Sequence, residues 1–68
     1  MSAPAVTVHR EARSRSVDIE ITAATAEQAI EAFNAFCGSP VVVSSQVLRR
    51  PHATSDGYVL FGRATLVE

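Results

Sequence analysis

Cys37, His9 and His52 are the only cysteine and histidine side chains that could hold a metal in this chain of 68 residues. None forms the close pairs that structural zinc sites use. They predict no metal and, with no other ligand-holding motif, no cofactor. Cys37 closes the stretch TAEQAIEAFNAFC, where a helical projection at about 100° per residue places it in an apolar arc with Ala26, Ala29, Ile30, Phe33 and Phe36. It meets the negative end of the helix dipole with no Lys, Arg or His in the helix, which is no setting for a working nucleophile. Cys37 therefore reads as a core residue. His52, Ser55 and Asp56 fall within HATSD, but a triad is a spatial arrangement that needs a pocket and an oxyanion hole. The segment reads as a solvated turn. Asp18 and Glu20 project from one side of a strand as a carboxylate pair would, and alternating acids of this kind mark a wet face. So short a chain has little volume for a water-excluded pocket, and the absence of Lys excludes P-loop and Schiff-base chemistry. The chain is expected not to be an enzyme.

Those residues need a framework, and composition bounds it. The chain is 47% apolar with a formal net charge of −1, which fits a globular domain and gives no overall attraction to nucleic acid or anionic lipid. A domain this small buries only roughly 60% of its unfolded surface. One cysteine closes no internal disulfide, so oligomerisation is the support the composition leaves open. MSAPAV has neither a basic start nor a long apolar run, and no later stretch approaches a membrane span. The expectations are a cytoplasmic protein, a flexible tail over residues 1–4 and one small α+β domain over 5–68. All six basic residues are Arg and Ala is abundant, as GC-rich coding in a bacterium or its phage would produce.

AVTVHR and SVDIEI alternate β-branched and polar residues, the pattern of half-buried strands, with EARSRS turning the chain between them. Thr25 and Gln28 have capping-box spacing, Glu27 suits a helix start, and Gly38 and Pro40 stop the helix, Gly38 by a left-handed cap. A third strand is expected from Val41 to Leu48 and a fourth from Tyr58 to Val67, joined by RRPHATSD and the turn dipeptide Asp56-Gly57. The fold class is α+β in the order β-β-α-β-β: a single helix packed on one face of a four-stranded, mainly antiparallel sheet. The spatial order 2-1-3-4 satisfies the strand directions.

In the last strand Tyr58, Leu60, Gly62, Ala64 and Leu66 form one face, whose small central members leave room for the helix's Phe rings. Val59, Phe61, Arg63, Thr65 and Val67 form the other. One helix covers one face, so Val59, Phe61, Arg63 and Val67, with some valines of the third strand, are expected to form an association surface. Two arginine clusters, Arg10, Arg13 and Arg15 at the first loop and Arg49 and Arg50 beside His52 at the second, are the alternative, electrostatic contacts for nucleic acid.

DGYVLFGRA resembles the RNP1 stretch of RNA-recognition motifs, but Asp56 stands where that motif needs a basic residue, Leu60 stands at its second aromatic position, and the chain has one helix where that fold has two. Flavin-binding dodecins are similar in length and in a helix followed by a hairpin, yet the Trp that stacks on flavin has no counterpart here. Some small anti-CRISPR proteins of phages are similar in setting a helix between two hairpins, a likeness of fold without a shared motif. The functional expectation is a non-enzymatic association module that partners itself as a homodimer or a larger host protein, the latter as a phage or mobile-element inhibitor. A small nucleic-acid-binding domain is the alternative, and no membrane partner is expected.

Overall fold

The computed structural model describes residues 3–10 and 13–67. Met1, Ser2, Glu11, Ala12 and Glu68 lie outside them, and so does part of the expected tail and of the first loop. Strands β1 (Ala5–Arg10) and β2 (Ser16–Ala23) precede helix α1 (Ala26–Cys37), and β3 (Val42–Thr54) and β4 (Gly57–Leu66) follow it. All four strands pair antiparallel in one sheet.

The spatial order is β1-β2-β4-β3, which corrects the expected 2-1-3-4. Both orders satisfy the same strand directions. Burial decides between them: Val17, Ile19, Ile21 and Ala23 of β2 are all buried, whereas every residue of β1 is exposed. The strand with the full aliphatic set lies in the interior of the sheet, and β4 inserts beside it.

The helix begins as its sequence implies. Thr25 has extended backbone angles, and its Oγ1 accepts from the Gln28 N–H at 3.1 Å. The reciprocal half of the capping box is not made, because the buried Gln28 Oε1 has no partner among the described residues. Gly38 differs from expectation. Its φ is −75°, so the helix ends through right-handed bonds from Gly38 N–H to Asn34 O and from Ser39 N–H to Phe36 O. Ala29 and Phe33 are buried, and Ala32, Phe36 and Cys37 pack half-buried against the core. Ile30 does not follow them; it is 45% exposed on the flank of the helix.

Phe33 meets the sheet at Gly62. A Cβ built on Gly62 would overlap the Phe33 ring at Cε1 and Cζ. Gly62→Ala is therefore expected to lower stability by about 1–3 kcal/mol, since ring or strand must shift in a packed core. Thermal unfolding followed by circular dichroism checks this; an unchanged midpoint would contradict the packing.

β3 is longer than the sequence suggests and contains the residues expected to form a connecting loop. Its 13 residues stand against 10 of β4, and register shifts between Val42 and Ser44, Val47 and Arg49, and Arg49 and His52 absorb the three extra residues. Pro51 reads as a breaker, but β3 is an edge strand and Pro51 falls within the last bulge, where no ladder donor is required. The β3–β4 turn is only Ser55 and Asp56, far shorter than the expected connection from Arg49 to Gly57, and Gly57 already opens β4. Gly57 has φ 120°, and any Cβ there would collide with the Ala23 carbonyl.

Candidate interaction surface

With Ile19 and Ile21 buried beneath the helix, Asp18, Glu20 and Thr22 must project from the opposite face of the sheet. Leu60, Gly62 and Ala64 fix β4 in the same way, so Val59, Phe61, Arg63 and Thr65 share that open face. The register sets these residues in rows across the sheet. Thr7, Glu20, Phe61 and Arg49 form one row, and His9, Asp18, Arg63 and Gln46 the next. The third, beyond Phe61, runs through Ala5, Thr22, Val59 and His52.

Phe61 is half-buried in the middle of this face. The His52 ring stacks beside it, with centroids 6.3 Å apart and planes inclined by 20°. A shallow groove around Phe61 is bounded by Asp18 and Glu20 on β2 and by Leu48 and Arg49 on β3. Arg63 Nε donates to Asp18 Oδ1 at 2.9 Å. Both side chains are exposed, so the pair contributes about 0–1 kcal/mol and mainly holds the guanidinium against β2.

Three of the four residues expected to form the association surface, Val59, Phe61 and Arg63, lie in one file on β4. Val67 lies past the end of that strand, its N–H bonded to Val41 O at 2.8 Å, and both valines are exposed. The arginine clusters fare differently. Arg10, Arg13 and Arg15 are all exposed near the β1–β2 connection, with Arg10 Nε donating to Ser14 O at 3.0 Å and Arg13 at φ 69°. Arg49 and Arg50 are not loop residues. They lie within β3 and belong to opposite faces, Arg49 beside Phe61 and Arg50 beside Ile30 and Pro51 on the helix side. No single basic patch contains both.

His52, Ser55 and Asp56 form no catalytic arrangement. His52 lies against Phe61 with Nδ1 3.3 Å from Arg50 O, and Ser55 and Asp56 make the hairpin turn. Among the described residues no three of His, Cys, Asp and Glu come together as a metal ion requires. No helix among them is long and apolar enough to cross a membrane.

The sequence does not reveal that His52 and Arg49 flank Phe61, because the bulges of β3 break its period-two alternation, nor that Glu20 lies on the other side of the ring, because that depends on β2 pairing with β4. Nor does it reveal how little the helix covers. Val6 and Val8 on β1 are 43% and 45% exposed on the helix side, and Val47 on β3 is 47% exposed there. Much of the exposed aliphatic surface thus flanks the helix instead of occupying the open face. No protein-family model, curated protein or solved structure matches the chain, so its functional reading rests on these surfaces.

Proposed function

We propose that this chain is a non-enzymatic association module that forms a homodimer through the open face of its sheet. The observation that carries the reading is Phe61, a large aromatic side chain left half-buried at the centre of an uncovered face and ringed by Arg49, Arg63 and His52. Aromatic residues and arginine are the types that dominate interface energetics, with an apolar centre and a polar rim as the usual layout. The small size of the domain supports the reading, since a core this small leaves stability marginal and a second copy would add apolar burial to it. The host-protein and phage parts of the expectation have no residue behind them in this fold and are not part of the proposal.

Nucleic acid is the second reading, favoured by one observation: Phe61 and His52 stand on an open antiparallel sheet beside Arg49 and could stack on bases. Asp18 and Glu20 on the same face oppose it. Salt separates the two. Light scattering is expected to find a dimer whose dissociation constant changes only a few-fold between low and high salt, because its affinity comes from Phe61. Binding to a labelled single-stranded oligonucleotide that weakens steeply with salt, from a protein that stays monomeric, would favour nucleic acid and contradict the dimer.

A further inference from the structure

Resting on the homodimer reading, the row through Phe61 points to the orientation of the second copy: we propose that the two-fold axis runs along β4, so that Glu20 of each copy faces Arg49 of the other. Glu20 and Arg49 are both register partners of Phe61, one on each side of it. Strands are about 4.8 Å apart, so the backbones of the two residues flank that of Phe61 by roughly that distance. Neither makes an ion pair among the described residues. The acid is on β2 and the base on β3, and the aromatic ring separates them.

Two isologous ways of stacking this face on itself differ in what they oppose. An axis perpendicular to the strands, along the row, leaves each strand over its own copy and sets Glu20 against Glu20 and Arg49 against Arg49. An axis parallel to β4 exchanges the two sides of the sheet at constant height. Phe61 then meets Phe61 on the axis, and each Glu20 meets an Arg49. Like charges across an interface disfavour the first arrangement, and charge complementarity selects the second. Aligned sheets cross at about 30°, which at a lateral offset of about 5 Å displaces the partners by only about 2–3 Å, within the reach of Glu and Arg side chains.

The Val59 row agrees with this axis, and the Arg63 row partly opposes it, because it sets Arg63 against its own copy. Val59 lies on the axis beside Phe61, continuing the apolar centre. Asp18 comes to face Gln46, an amide donor, and Arg63 approaches its own copy with its charge already offset by Asp18. Thr22 comes to face His52. Charges at such a rim set orientation and exclude wrong registers more than they add affinity, in keeping with a dimer of weak salt dependence.

The test exchanges the charges. Glu20→Arg and Arg49→Glu alone each create two like-charge contacts per dimer, and each is expected to weaken dimerisation at least tenfold, as read by sedimentation velocity, with the circular dichroism spectrum unchanged. An equimolar mixture of the two variants restores both contacts and is expected to form a heterodimer within a few-fold of wild-type affinity. The double variant is expected to recover the homodimer. Glu20→Gln and Arg49→Gln, alone and together, read the same coupling without like charges, should a reversal disturb folding. Additive losses in that cycle, or single reversals that weaken the dimer but do not recover on mixing, would overturn the orientation. So would a dimer indifferent to every exchange, which would leave the association reading standing. A wild-type chain that is monomeric at all concentrations would overturn that reading and this one with it.

Discussion

Phe61→Asp is expected to leave the chain folded and to abolish its dimer. In the single chain the new carboxylate would remain in contact with water on the open face, beside the guanidinium-bearing Arg49 and Arg63, while the helix-side core is untouched. The cost to folding is the lost contact of a half-buried ring with the sheet and with His52, on the order of 1 kcal/mol. The cost to association is larger. Truncating an aromatic anchor at an interface centre removes about 2 kcal/mol or more, and a symmetric dimer loses two of them. Some 4 kcal/mol corresponds to about a thousandfold in dissociation constant, before the repulsion of two carboxylates brought together on the axis. Circular dichroism should retain the wild-type spectrum while sedimentation shows only monomer. A variant that is folded and still dimeric would remove Phe61 from the interface.

One position earlier, Leu60→Asp is expected to unfold the domain. Leu60 is 1% exposed, opposite Ile21 and in one cluster with Phe33. Losing a buried leucine costs about 2–5 kcal/mol, and a buried carboxylate adds several more. At about 0.05–0.15 kcal/mol per residue, a chain this long has only roughly 3–10 kcal/mol to lose. Arg50 lies near Leu60 on the helix side, but its exposed guanidinium would also have to leave water, and the desolvation of both ions offsets the attraction. Loss of the folded spectrum in Leu60→Asp, with its retention in Phe61→Asp, follows from the opposite parity of adjacent strand residues. Tolerance at position 60 with unfolding at 61 would reverse the two faces.

The parity of β4 was legible because its helix-side positions carry Leu60, Gly62 and Ala64, a large residue followed by two small ones, matched to the Phe rings of the helix. The helix was legible for similar reasons. Thr25 caps it, and Ala29 and Phe33 recur at the spacing of one buried stripe. β3 was not, because Pro51 carries the ordinary signature of a break and only its edge position and bulge make it tolerable. Strand order was not legible from direction, although β2 held a usable clue in Val17, Ile19 and Ile21, a set too rich in aliphatics for an edge. The candidate surface was half visible. Val59, Phe61 and Arg63 follow from alternation, whereas Glu20 and Arg49, separated by 28 other residues, become partners of one ring only through the β2–β4 and β4–β3 registers.

Sedimentation equilibrium of the wild-type chain over a wide concentration range tests the central claim most directly. Self-association through the open face predicts a mass that rises with concentration to about twice 7.2 kDa and stops there, because an isologous contact closes on itself. A mass that remains at 7.2 kDa throughout, or one that climbs past the dimer, would contradict it.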